Sequence, residues 1–101
     1  MVQALVQVQK LEKYLRDCGE DKIISMTLSK LFNYKIQEYE NHIKELTLAM
    51  KEYEQKYKMN SMDFYQAFTV GRLGDAMDFV DWSSMYQMLN RIMKRKHLLE
   101  E

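Results

Sequence analysis

A seven-residue spacing governs the middle of this chain. Ile36, Ile43, Met50 and Tyr57 fall at one heptad position, and Phe32, Tyr39, Leu46 and Tyr53 at the other. The positions between them are mostly charged. Such a repeat forms a continuous apolar stripe only on an α-helix, and the stripe has to be covered by something. The spacing predicts one helix over about 22–58, roughly 50 Å long at the usual rise per residue. Glu40–Lys44, Glu52–Lys56 and Glu54–Lys58 each put an acid four residues ahead of a base, the order that supports a helix. A helix of this length cannot bury its stripe against itself, and shorter flanking helices cover only part of it. A homodimer or a hetero-partner along the seam is therefore expected, and a monomeric three- or four-helix bundle is the competing arrangement.

The flanks also read as helix. The chain has no Pro and only three Gly, so nothing breaks long helices except where a glycine falls. Val2, Leu5, Val8, Leu11, Leu15 and Cys18 recur at helical spacing over about 2–18, and Gly19 fits a helix stop. Glu20 and Asp21 lead into the long helix, where acids suit the positive end of its dipole. Beyond Met59, Asn60 or Ser61 caps a third helix over about 61–70 that carries Phe64, Tyr65 and Phe68. Gly71 and Gly74 then allow a tight connection, and Asp75 or Asp78 caps a last helix over about 77–97. That helix places Phe79, Trp82, Met85, Tyr86, Leu89, Ile92 and Met93 on one face and ends in Arg91, Lys94, Arg95, Lys96 and His97. The expected fold class is all-α: a single domain over residues 1–101 with a short first helix, a long heptad helix and a C-terminal helical hairpin, in a dimeric bundle.

Charge and composition narrow the function. Fifteen basic residues balance fifteen acidic ones, so the surplus typical of a general nucleic-acid binder is missing. The basic tail alone leaves nucleic-acid contact open. No apolar run approaches the roughly 20 residues that span a bilayer, so no membrane is expected. The first fifteen residues lack a basic leader and a small-residue cleavage site, and Cys18 has no disulfide partner. These point to a cytoplasmic protein. Cys18, on an apolar helix face, is expected in the core, as are most of the nine Met.

Chemistry-bearing constellations are few. Asp75, Asp78 and Asp81 are spaced by three, which suits helix capping first and an acidic contact patch second. The alternating acids, glycine and glutamate of a calcium loop are absent. His42 has no second His or Cys near it, so no metal and no cofactor are expected. Arg91 and His97 are separated by five residues, a spacing used by all-helical ribonucleases to hold the scissile phosphate and move a proton at the ribose 2′-hydroxyl. That pair is the alternative, enzymatic reading; a solvated basic helix end explains it as well. Phe79, Trp82 and Tyr86 read as core at this spacing, with Trp82 the one to single out as a contact.

From Tyr57 to Leu89 the sequence reads YKMNSMDFYQAFTVGRLGDAMDFVDWSSMYQML. This resembles the segment YGMSSEEFYxxFxxGxLGDDxDFxEWSxLYxM of small prokaryotic helical proteins, the antitoxin halves of two-gene toxin–antitoxin modules. Lys58 stands where the pattern has Gly, and Ala76 replaces one acid. The first departure implies either that the turn forms without a positive φ or that the long helix runs one residue further. The resemblance implies a protein without enzymatic activity that neutralises a small nuclease-type toxin by direct contact. It also implies that Asp75, Asp78, Asp81 and Trp82 make that contact against a basic RNA-binding surface. A dimeric helical adaptor with no toxin partner is the remaining alternative.

Overall fold

A computed structural model describes residues 3–100. Four α-helices account for nearly all of them: α1 (Gln3–Cys18), α2 (Lys22–Tyr57), α3 (Ser61–Thr69) and α4 (Met77–Glu100). Among the described residues there is no strand, and no helix is long and apolar enough to cross a membrane. Val2, expected on the face of α1, lies outside the described residues. The chain divides into two compact units, with the division between Asn33 and Tyr34 inside α2.

The first unit holds α1 and the opening turns of α2. Gly19 ends α1 with its N–H on the Leu15 carbonyl. The Asp21 carboxylate then caps α2, accepting from the backbone N–H groups of Ile23 (2.9 Å) and Ile24 (3.1 Å). No residue of α1 is buried, and the only buried residue of α2 is Met50, in the second unit. Cys18, expected in the core, is exposed. The reason is local: this unit has no third element to lay over α1.

The second unit has the core. Met50, Phe64 and Trp82 are its buried centre, with Phe64 and Trp82 fully enclosed, ringed by Tyr53, Tyr57, Tyr65, Phe68, Phe79 and Tyr86. Helix α4 runs antiparallel to α2, since Lys56 meets Asp78 at one end and Glu40 meets Lys96 at the other. Helix α3 closes the end of this pair against Trp82. The end of the heptad seam from Met50 to Tyr57 is thus covered within the chain by α3 and α4. Ile36, Tyr39, Ile43 and Leu46 are half-buried, and Phe32 is exposed.

Three boundaries correct the sequence reading. Helix α2 stops at Tyr57 and Lys58 takes φ +55°, so the turn does use a positive φ and does not use a glycine for it. A lysine held there carries a left-handed strain of roughly 1–2 kcal/mol that glycine would not. Neither Asp75 nor Asp78 caps α4. The Ala76 carbonyl starts that helix by accepting from the N–H groups of Phe79 and Val80, and Asp78 lies inside the first turn with its side chain drawn away to α2. Helix α4 also runs to Glu100 rather than about 97, because no glycine or proline stops it and Lys96 pairs with Glu100 at 3.0 Å one turn on. Met93, expected on the inner face, is exposed, whereas Trp82 and Ile92 are buried.

Helix α3 is bounded as its sequence dictates. Asn60 accepts from the Asp63 N–H at 2.8 Å, the cap expected there. At the other end Gly71 (φ +80°) donates to the Phe68 carbonyl and Arg72 to the Ala67 carbonyl. Those two bonds satisfy carbonyls the helix would leave orphaned, and they need a left-handed residue at position 71.

Candidate functional site

The segment from Tyr53 to Trp82 brings together Tyr53, Tyr57, Asp78, Asp81 and Trp82, five of the residues that sequence reasoning singles out, in roles that the sequence does not announce. Trp82 is 0% exposed. Its ring stacks on Phe64 at a centroid distance of 3.8 Å and an interplanar angle of 6°, with Tyr53 and Tyr57 stacked at 5.7 and 6.0 Å. Trp82 therefore has no surface to present to a partner in this conformation; it is the post around which the unit packs.

A polar thread runs out from it. Trp82 Nε1–H donates to Ser61 Oγ at 2.8 Å. The Ser61 hydroxyl in turn donates to Glu54 Oε2 at 2.8 Å, and the Ser61 backbone N–H donates to the same oxygen at 2.9 Å. One carboxylate of α2 thus sits at the N-terminus of α3, where unpaired N–H groups and the helix dipole favour an anion. Among the described residues no buried side-chain nitrogen or oxygen is left without a partner.

Two of the three spaced aspartates form rungs between α4 and α2. Asp81 Oδ2 accepts from Tyr53 Oη at 2.6 Å. Asp78 Oδ2 accepts from Tyr57 Oη at 2.6 Å and from Lys56 Nζ at 2.8 Å. Asp75 is exposed and takes no part. The matching periodicities carry the geometry: Tyr53 and Tyr57 are one turn apart on α2, and Asp78 and Asp81 are one turn apart on the antiparallel α4. That pairing of spacings is the signal in the sequence that could have found the rungs. Ser61 and Glu54 left no comparable signal.

The rungs have electrostatic consequences. The Lys56 ammonium, and then the Tyr57 hydroxyl, hold the Asp78 carboxyl below the usual carboxylate range. The Asp81 carboxylate and the loss of water push Tyr53 up to about 12, and Asp78 raises Tyr57 in the same way. A carboxyl depressed in the folded state contributes stability that is present above its ordinary pKa and lost as pH falls through the folded value. A phenol raised in the folded state contributes below its ordinary value of 10.0, and that contribution is lost as pH climbs towards about 12. The expected urea midpoint is flat through neutral pH, falls below the ordinary carboxylate range, and falls again above pH 10 or so as Tyr53 and Tyr57 ionise. Tyr53→Phe should remove part of the alkaline fall. An alkaline limb unchanged in that variant would show that the Tyr53–Asp81 bond contributes nothing.

Around these rungs α4 presents apolar side chains to solvent: Met77 is 81% exposed and Val80 44%. Both rungs use Oδ2, so Oδ1 of Asp78 and of Asp81 is left to accept from elsewhere. Arg91 and His97, the pair of the enzymatic alternative, stand six residues apart on one unbroken helix, which turns them about 240° from one another. His97 lines an open groove with Ile43, Met93 and Leu98, and Arg91 does not. No group of three His, Cys, Asp or Glu among the described residues is placed to hold a metal.

The fold and this site define a class: an all-helical protein whose C-terminal unit is locked by an aromatic stack and Tyr–Asp rungs. Comparisons with protein-family models, with curated proteins and with solved structures find no match to this chain.

Proposed function

We propose that this chain is a protein-binding antitoxin that neutralises a nuclease-type toxin by direct contact, and that the start of α4 is the contact. The observation that carries this reading is the strip in which exposed Met77 and Val80 lie among Asp75, Asp78 and Asp81. Exposed apolar side chains rimmed by carboxylates complement a basic, RNA-binding surface whose own apolar parts need cover. The resemblance over residues 57–89 names the partner class, and the strip falls inside that segment. The part Trp82 plays in this reading is indirect: it fixes the position of the strip and touches nothing outside the chain.

The test avoids the rungs, because Lys at position 78 or 81 would break the fold as well as a contact. Asp75 and Val80 are exposed and make no side-chain hydrogen bond among the described residues, so an Asp75→Lys, Val80→Lys double variant should fold. It is expected to lose both co-purification with the product of the adjacent gene and rescue of growth from that product, with the near-UV circular dichroism of Trp82 unchanged. Wild-type rescue by this variant would place the contact elsewhere. Failure of the wild-type protein to bind the adjacent product would remove the antitoxin reading itself.

A further inference from the structure

The outer side of α4 carries an order of charges that its own fold leaves unused. Met77, Asp81, Ser84, Met88, Arg91 and Arg95 alternate spacings of four and three, so they share one side of the helix, and all six are exposed. The acids come first. Asp78 and Asp81 stand in the opening turns, residues 82–90 hold no charge, and Arg91, Lys94 and Arg95 follow. The helix dipole accounts for little of this. It acts within the first and last turns, where α4 has Asp78 and His97. Asp81, Arg91 and Arg95 lie further in. Arg91 and Arg95 also sit one turn apart, where like charges repel. Neither has an ion pair or a side-chain hydrogen bond among the described residues.

The order is also symmetric. Reversing α4 about the level of Tyr86 sets Asp81 opposite Arg91, Met77 opposite Arg95 and Ser84 opposite Met88. Each of the six positions then faces another of the six, which is the condition that two antiparallel heptad stripes related by a two-fold axis have to meet. The chemistry agrees at each level. Asp81 gives Oδ2 to Tyr53, so its Oδ1 can accept from the copy's Arg91. Met77 can cover the aliphatic stem of the copy's Arg95. The small Ser84 leaves room for the copy's Met88.

We propose that α4 pairs with α4 of a second copy of this chain, antiparallel, through this stripe. A nucleic acid or an acidic partner matches only the Arg91 end, and a basic partner matches only the Asp81 end. The reversed copy matches both at once. The pairing does not rest on the toxin reading. It shares Met77 and Asp81 with the strip assigned to the toxin, so a bound toxin would displace the copy.

A single pair of helices is a small interface, so the dimer is expected to be weak, present at about 100 µM and lost on dilution. Light scattering at that concentration should give twice 12.2 kDa for the wild-type chain. Arg91→Glu sets two carboxylates against each other, and two-fold symmetry makes it do so twice. Its dissociation constant is expected to rise about 100-fold or more, leaving a single copy, with the near-UV signal of Trp82 unchanged. Thiol trapping reads the register directly. With Cys18→Ser in every chain, a Ser84→Cys variant mixed with a Met88→Cys variant should form a disulfide-linked pair faster than either variant alone, because only the mixture brings the two thiols level. A wild-type mass of 12.2 kDa, a doubled mass that survives Arg91→Glu, or trapping no faster in the mixture each overturns the proposal.

Discussion

Trp82→Ala is expected to lower the free energy of unfolding by about 3–5 kcal/mol, measured by urea titration followed by far-UV circular dichroism. Domains of this size hold roughly 5–15 kcal/mol in total, so the variant should be close to unfolded at physiological temperature. The size of the effect follows from what touches the ring. Phe64 lies flat on it at 3.8 Å, Tyr53 and Tyr57 stack at greater distance, and Met50 completes the enclosure. Removing the indole leaves a void bounded by the rings of α2 and α3, and the Tyr–Asp rungs hold α2 against α4, the helix the indole came from, so little collapse can fill it. A loss below about 1 kcal/mol would mean the stack does not hold the unit together.

Ser61→Ala is the second large effect, about 1–3 kcal/mol for the loss of one oxygen. The hydroxyl is small, but among the described residues it is the only acceptor for the buried Trp82 Nε1–H, and it also donates to Glu54. Alanine strands the indole donor in a place water does not reach, and a stranded donor costs its full desolvation. A double-mutant cycle separates this cause from any change in capping. With Trp82→Phe as background there is no indole N–H to strand, so Ser61→Ala should cost markedly less there. Equal costs in both backgrounds would show that the thread from Trp82 through Ser61 to Glu54 is not what stabilises the end of α3.

The first effect arises from a residue whose importance the sequence half announces; the second arises from Ser61, which the sequence offers only as an alternative cap. Trp82 draws notice by being the only Trp, and its helical spacing with Phe79 and Tyr86 reads as core. The competing reading, a surface contact, needs the ring outside, and the ring is inside. Tyr53 and Tyr57 read as a dimer seam because the heptad rule recognises apolar periodicity and is blind to hydroxyls. In the folded chain their rings pack on Trp82 while their hydroxyls reach Asp81 and Asp78, residues 28 and 21 positions away. Asp78 reads as a cap because acids near a helix start usually are caps. Here Lys56 and Tyr57 compete for the carboxylate and win, and a backbone carbonyl starts the helix instead.

Lys58 shows the opposite failure. A glycine at that position would have signalled a left-handed turn; a lysine signals nothing, yet φ is +55°. The packing of α3 and α4 onto the end of α2 demands a sharp reversal there, and the aromatic core offsets the strain.

The sequence by itself determined the local structure: four helices in order, Gly19 and Gly71 as stops, and Asp21 and Asn60 where capping was needed. These depend on hydrogen bonds and propensities within a turn or two, which residue type alone controls. What only the tertiary structure decided is which faces meet. It turned the C-terminal end of an apparent dimer seam into an internal core, converted two aspartates from caps into rungs, and left the face of α1 and early α2 uncovered. Those outcomes depend on contacts between residues more than twenty positions apart, and periodicity within one helix carries no information about the partner on the other.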